Sequence, residues 1–285
     1  MGWCGHFARA AGSVPTVVHA HWWFPSGLAA PPELPTVVTL HGTDGRLLAR
    51  TGAATLARRA LGRGRVVTAV SSAIAAMVET RTGIAVDPSR VCPMPVEDRG
   101  VRSTGGGGLV FVGRLTEQKR VALALEAHAA MLATRPELCL TIVGDGPARA
   151  ELESRVGALG SGDRVRFLGQ LPPAAAAEAL GRADLFLFPA EQEGLGLAAV
   201  EALMAGVPVV ACRDGGGIGD IMEEPGAGLL VEPTAAAFAG AADRLMADPD
   251  SRAAAAQAGA SWRQRLTPTA VAERCEAWYR AAQLA

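Results

Sequence analysis

The chain has 285 residues, 49% of them hydrophobic and 19% charged, with 27 basic against 28 acidic side chains and a formal charge of −1. That is apolar material enough for one large domain or two small ones, and it excludes the disordered and fibrous classes. The balanced charge removes any global drive toward nucleic acid, so no nucleic-acid partner is expected.

In chain order, the opening MGWCGHFARAAGS lacks the basic start, apolar run and cleavage site of an export leader, and nowhere do 18 apolar residues run together. Position 6 is His6 where a myristoylation signal needs Ser or Thr. Together these point to a cytoplasmic protein, with a peripheral position at the inner membrane face as the alternative. Short β-branched runs then alternate with Ala/Leu/Arg-rich stretches of helical length, the pattern of βα units around parallel sheets. Strands are predicted near 17–20, 36–40, 66–70 and 91–96, then near 109–115, 138–143, 165–168, 185–188, 207–212 and 228–231. The six arginines between Arg46 and Arg65 scatter around a helix at 100° per residue and make no basic face. Arg102-Ser-Thr-Gly-Gly-Gly-Gly108 reads as an inter-domain linker. Residues 1–103 would then hold four strands, and the rest six strands and a helical tail.

Five cysteines, an odd number without a Cys-x-x-Cys pair, argue against a disulfide framework or a structural zinc site. Of the 27 basic residues one is lysine, Lys119, and its solitude in a chain that otherwise uses arginine invites a functional reason.

The strongest site signal is AEQEGLGLAAVEALMAGVPVVA, residues 190–211. A strand gives way to a loop carrying Glu193, Gly194, Leu195 and Gly196, and a helix follows over 197–205 until Gly206 and Pro208 stop it. Glycines let such a loop approach a ligand closely, and the N–H groups opening the helix favour an anion. Glu201, one turn in, is placed to accept hydrogen bonds from sugar hydroxyls. The plainer reading makes both glutamates solvated surface acids.

FVGRLTEQK, residues 111–119, puts Gly113 and Arg114 where a strand meets its loop, at the carboxyl edge where α/β sheets bind ligands. Arg114 and Lys119 there can neutralise a diphosphate, one as a fork and the other as a point charge. GDGP (144–147) and DGGGIGDIM (214–222) are glycine turns after strands, and neither fits the Gly-x-Gly-x-x-Gly nicotinamide fingerprint. In the first half, His19 and His21 share a strand face without an apparent third metal ligand, so no metal is expected. His41 and Asp44, in HGTD, stand at a strand's carboxyl end as candidates for contact with a sugar, or as a loop histidine capped by its own aspartate.

Taken together, these segments resemble the retaining GT-B glycosyltransferases of the group 1 family, most specifically over 109–232 and more loosely over 15–96. The resemblance implies an α/β, GT-B-like fold of two Rossmann-like parallel-sheet domains, the N-terminal one incomplete: residues 1–103 on the acceptor side, 104–266 on the nucleotide-sugar donor side, and 267–285 as a helix returning to the first. It implies that Arg114 and Lys119, beside Gly113, hold the donor diphosphate; that Glu201 binds the ribose and Glu193 the donor sugar; and that the amides of Leu195, Gly196 and Leu197, after Gly194, meet phosphate. Gly144, Asp145 and Leu168 would line the base pocket, and His41 would lie close to the donor sugar. The family's opening strand, glycine-rich loop and next βα units have no counterpart here, and Gly219 and Asp220 stand where the family has Pro-Glu.

The implied reaction transfers a sugar from a nucleoside-diphosphate sugar to an acceptor hydroxyl on a lipid, polysaccharide or natural product, with the anomeric configuration retained. Glu193, Arg114, Lys119 and His41 are the expected catalytic residues, with neither metal nor cofactor. A nucleotide-sugar-binding subunit without catalysis, completed by a partner chain or by self-association at an exposed N-terminal sheet edge, is the second reading; a GT-B sugar-nucleotide epimerase is the third. Trp262, Val271, Cys275, Trp278 and Tyr279 are expected to pack in the core.

Overall fold

The computed structural model describes residues 16–62 and 64–284; the reading of the opening segment, Cys4 and Arg63 lie outside them. The chain divides into two compact units, Met1–Pro95 with Leu266–Ala285, and Val96–Arg265.

The first unit is a parallel sheet in the order β1-β2-β3, from Val18–His21, Thr36–Leu40 and Arg65–Ala69. Every residue of β2 (TVVTL) is buried, Thr36 and Thr39 included, so the strand shows no alternation of an apolar with a solvated face. Successive side chains point to opposite faces. Val38 and Leu40 pack with α1 (Gly42–Leu48), α2 (Ala53–Leu61) and α3 (Ser72–Thr82), and Val37 packs with Val271 and Trp278 of the last helix, α11 (Pro268–Gln283). Cys275 and Tyr279 join that second layer partly buried.

A fourth strand expected over 91–96 does not form. Val91 makes a single bridge to Ala69, and Cys92 donates its N–H to the Ala69 carbonyl at 2.8 Å. Pro93 and Pro95 then have no N–H to continue a ladder.

The second unit holds six parallel strands in the order β6-β5-β4-β7-β8-β9: Leu109–Val112 (β4), Leu140–Val143 (β5), Val165–Gly169 (β6), Leu185–Phe188 (β7), Val209–Cys212 (β8) and Gly228–Val231 (β9). The sheet grows outward from β4 in one direction and from β7 in the other, so its topological switch point lies between them, where doubly wound sheets bind ligands. The helices between these strands are α4 (Val121–Met131), α5 (Arg149–Ala158), α6 (Pro173–Arg182), α7 (Leu197–Ala205) and α8 (Ile218–Met222), with α9 (Ala235–Ala247) and α10 (Ser251–Arg265) after β9. α10 crosses α7 so closely that a Cβ on Gly259 would strike the Leu203 carbonyl. Trp262, expected in the core, is buried on α10.

The glycine run read as a linker is bonded into this unit. Thr104 N–H donates to Gly181 O at 2.8 Å, and Gly106 and Gly108 N–H donate to the Asp184 carboxylate at 2.7 and 2.9 Å. The division therefore falls after Pro95, upstream of the residue-103 boundary that composition suggests. These glycines serve close backbone approach: a Cβ on Gly108, at φ +74°, would strike the Cys139 carbonyl. Among the described residues no helix is long and apolar enough to cross a membrane.

Candidate functional site

The switch point of the second sheet is flanked by the loops after β4 and β7. Gly113 leaves β4 with its N–H on Val143 O at 3.0 Å, and Leu115, fully buried, donates to Asp145 O at 2.9 Å. Arg114, between these two anchored residues, is exposed. A Cβ on Gly113 would lie 3.1 Å from the Phe111 ring, and one on Gly144, at φ +129°, would strike the Gly113 carbonyl oxygen. The GDGP loop therefore closes on the GRL loop because Gly144 and Gly146 bring no side chain to the crossing, where a Cβ would strike the Gly113 and Leu115 carbonyls.

A 3-10 turn at Glu117–Lys119 then aims the single lysine back across the switch point. Lys119 Nζ lies 3.0 Å from Glu193 Oε1, with the two side chains 17% and 18% exposed, and 5.7 Å from the centroid of the Phe188 ring. Lys119 and Glu193, singled out separately from sequence segments more than seventy positions apart, are thus direct partners.

The Glu193 backbone is held on both sides. Its N–H donates to Gly215 O at 3.0 Å and its carbonyl accepts from Gly217 N–H at 2.9 Å. Gly216 sits between at φ +73°, where a Cβ would fall 2.5 Å from Glu193 O. The 214–222 glycine segment, which reads from sequence as a glycine turn after a strand, clamps the loop that carries Glu193.

Sequence reading passed over the residues that fasten these loops together. Arg120, next to the lysine, donates from Nε to Pro189 O at 2.8 Å and grips Asp214 with both guanidinium nitrogens, at 2.9 and 2.5 Å. That forked bond raises the Arg120 pKa and lowers the Asp214 pKa. Gln118 donates to the Glu191 and Gln192 carbonyls at 3.0 and 3.3 Å. The available signal was the polar cluster Gln118-Lys119-Arg120 following a strand.

Gly196, at φ +100°, caps α7 without a side-chain hydrogen bond, and a Cβ there would fall 2.9 Å from Phe188. The helix after Gly194-Leu195-Gly196 therefore begins at Leu197 without a side-chain cap, Ala199 N–H turning back to Gly196 O at 2.9 Å, and its opening amides are a place suited to an anion. Glu201, on the next turn, has different neighbours from Glu193. It borders a recess with Glu97, Arg99, Ala177, Leu180 and Met204. As a residue Glu201 is exposed; partial burial of its carboxyl raises its pKa, and Arg99 pulls the other way.

On the far side of β4, Asp145 accepts Gly146 N–H at 2.7 Å and pairs with Arg149 at 3.1 Å, so it is engaged within its own turn. Leu168 is 45% exposed. The pairing of β5 with β6 shifts between Ile142 and Val143, which face Phe167 and Gly169, so Leu168 is the unmatched residue of a bulge that turns it outward.

In the first unit, His41 precedes α1. Asp44 accepts the His41 N–H at 2.7 Å and the Trp23 N–H at 3.0 Å. The imidazole of His41 instead meets His21, Nε2 to Nδ1, at 3.0 Å. Burial pushes Asp44 up to about 6 against the pull of those two N–H bonds. Burial brings His41 down to about 4, assisted by His21 and His19. His19, weighed earlier as a metal ligand, is satisfied by Tyr279 OH at 2.9 Å and Thr39 Oγ1 at 2.7 Å. Its pKa also falls to about 4, through burial and His21. Among the described residues no group of three or more His, Cys, Asp or Glu is arranged to hold a metal ion.

Two parallel-sheet units, with charged loops at the switch point of the second, are the architecture of the GT-B class. Solved structures share it. Sucrose-phosphate synthase from Thermosynechococcus elongatus superposes with a TM-score of 0.78 at 23% identity, covering 98% of this chain and 77% of that one. HepE of Anabaena, solved in complex with UDP and glucose, superposes at 0.68 and 22% identity, covering 86% and 72%. The chain belongs to the group 1 glycosyl transferases: the model of that family matches residues 102–262, and the Glycosyltransferase Family 4 model matches 7–99.

Relatives include the 2-deoxystreptamine glucosyltransferase of Streptomyces kanamyceticus, 35% identical over 62% of this chain and 48% of its own length. The D-inositol 3-phosphate glycosyltransferase of Acidothermus cellulolyticus is 31% identical over 83% and 60%, and a glycogen synthase of Mycobacterium tuberculosis 31% over 89% and 64%. The chain thus spans about half to two thirds of the length of these relatives.

Proposed function

We propose that this chain moves a sugar from a nucleoside-diphosphate sugar to an acceptor hydroxyl, with the anomeric configuration retained. The carrying observation is the Lys119–Glu193 pair, 3.0 Å apart at the switch point of the sheet and beside the uncapped start of α7. One cation, one anion and a helix start without a side-chain cap at a single corner suit a group that is sugar at one end and diphosphate at the other.

In this reading the bond from the anomeric carbon to the diphosphate oxygen breaks, leaving oxocarbenium-like charge on the sugar. The acceptor oxygen takes the vacated position on the same face, and its proton passes to the released diphosphate. Arg114, Lys119 and the amides of Leu195, Gly196 and Leu197 receive the charge as it builds on the leaving group, with Gly113 and Gly194 letting the phosphates come close. The reading therefore calls for neither metal nor cofactor. Glu193 faces the donor sugar as a fixed charge. It is not assigned as a nucleophile, because its carboxylate is engaged by Lys119 and a glycosidase needs two carboxyls flanking one bond. Glu201 accepts from the ribose hydroxyls. Gly144, Asp145 and Leu168 line the base side. His41, kept neutral by burial, is assigned to donor-sugar hydroxyls, toward which a neutral imidazole can donate or accept.

The test is a donor survey. The chain is incubated with UDP-, ADP- and GDP-glucose, sugar release or transfer is followed by phosphorus NMR, and the product anomer is assigned by proton NMR. Turnover of one donor with retention, lost in Glu193→Gln and Lys119→Met, is expected. Failure of all three nucleoside diphosphates to bind would sink the proposal.

A further inference from the structure

Trp22 breaks two rules that a merely structural residue obeys. Its side chain is 43% exposed, although burying an indole is among the most favourable things a fold can do. Its backbone sits at φ 69°, ψ 140°, a region that side-chain-bearing residues rarely adopt.

The surroundings hold this arrangement firmly. Trp22 N–H donates to Thr39 O at 2.9 Å, and its carbonyl accepts from Gly27 N–H at 3.0 Å. The next residue, Trp23, is buried to 1% exposure and tied by its N–H to Asp44 at 3.0 Å. With Trp23 locked inward, the kink at Trp22 turns the first indole outward in a defined place. Two imidazoles stand beside it: His41, with ring centroids 5.1 Å apart and planes inclined at 41°, and His21 at 6.2 Å and 64°. Strain and exposure concentrated on one anchored aromatic, flanked by hydrogen-bonding rings, are features of a binding surface.

We infer that Trp22, with the imidazoles of His21 and His41 beside it, forms a stacking platform for a saturated, hydroxyl-bearing six-membered ring on the acceptor. This rests on the glycosyltransferase reading, whose acceptor it narrows to a sugar or a cyclitol. Such a ring has a C–H face that packs on an indole and a rim of hydroxyls that neutral imidazoles serve as donors or acceptors. A bilayer surface is the poorer fit. The rings next to Trp22 are imidazoles, not the lysine and arginine side chains that pair with anionic headgroups.

The experiment uses the full chain labelled with 5-fluorotryptophan, the Trp22 fluorine resonance being assigned by its disappearance in Trp22→Phe. Methyl α-D-glucopyranoside, myo-inositol, the open-chain polyol sorbitol and phosphatidylglycerol vesicles are titrated in turn. Binding of UDP, ADP and GDP is measured in parallel by calorimetry. A saturable shift of the Trp22 resonance with at least one ring compound, and none with sorbitol, is expected. Saturation-transfer NMR on the same compound should show binding about fivefold weaker or worse in Trp22→Ala and largely retained in Trp22→Phe, with UDP affinity unchanged in both. The inference is overturned if neither ring compound moves the resonance, if sorbitol or the vesicles alone move it, or if Trp22→Ala binds the ring as the parent does. Ring failure with intact UDP binding removes this inference and leaves the glycosyltransferase reading standing. Failure of UDP, ADP and GDP alike removes that reading itself.

Discussion

The Lys119–Glu193 pair makes a quantitative test possible. At 3.0 Å and an effective dielectric near 20, two unit charges attract by roughly 5 kcal/mol before desolvation is counted. Side chains still 17–18% exposed recover part of that from water, so the pair falls between exposed bridges worth about 0–1 kcal/mol and buried ones whose breakage costs about 3–5 kcal/mol. A coupling of about 1–3 kcal/mol follows from that interpolation. Lys119→Met keeps the stem over Phe188 and deletes the charge, leaving Glu193 as an uncompensated anion beside the proposed diphosphate position. UDP affinity measured by calorimetry should fall about 10- to 100-fold, or about 1.4–2.8 kcal/mol. Glu193→Gln should leave UDP affinity unchanged or raise it, because it frees the lysine for phosphate. The double variant should bind UDP better than Lys119→Met alone, and the cycle reports the coupling. A Lys119→Met protein that binds UDP like the parent, or a cycle that closes at zero, would refute the assignment of this corner to the diphosphate.

Three further outcomes are expected. Gly144→Ala places a Cβ against the Gly113 carbonyl at φ +129°, and left-handed strain plus overpacking should cost about 2–5 kcal/mol in thermal or urea unfolding of the second unit; an unchanged midpoint would mean that the crossing of these loops is looser than described. Arg120→Ala removes the fork on Asp214 and the bond to Pro189, so hydrogen exchange should speed up at the amides of Glu191, Gln192 and Glu193 while the strand amides of β7 stay protected; uniform protection would refute a clamping role.

The histidine cluster gives an acid-sensitive first unit. With folded pKa values near 4 against 6.5, His19 and His41 contribute stability that is present above pH 6.5 and lost as pH falls through 4. Asp44, raised from 3.8 to about 6, contributes in the opposite sense: its share is present below 3.8 and lost as pH rises through 6. Two histidines outweigh one aspartate, and after discounting for solvent screening the net loss on acidification is roughly 1–3 kcal/mol. A His19→Gln, His41→Gln double variant should therefore lose less stability between pH 7 and 5 than the parent; equal losses would show that these imidazoles are not the acid-sensitive groups.

What each segment becomes was largely written in the chain. β2, β7 and β9 span 36–40, 185–188 and 228–231, the ranges that their apolar runs predict, and α7 occupies 197–205 between Gly196 and Gly206 because glycine alone meets the left-handed conformation at both ends. Local pattern failed where meaning depended on a distant partner. The run 104–108 has the composition of a flexible tether, yet its glycines exist so that backbone can press against Asp184 and Cys139, residues invisible from a window of ten. Val91–Val96 has strand composition, but its prolines cannot feed a ladder.

Lys119 and Glu193 were each legible as charged residues after a strand. That they are bonded to one another follows from β4 and β7 being neighbours in the sheet, and Arg120, Asp214 and the Asp44–Trp23–His41 knot follow likewise from which strand ends stand side by side. Propensity and periodicity act over a few residues and are carried by the sequence itself. The pairing of remote loops is set by strand order, which only the packing of the whole sheet determines.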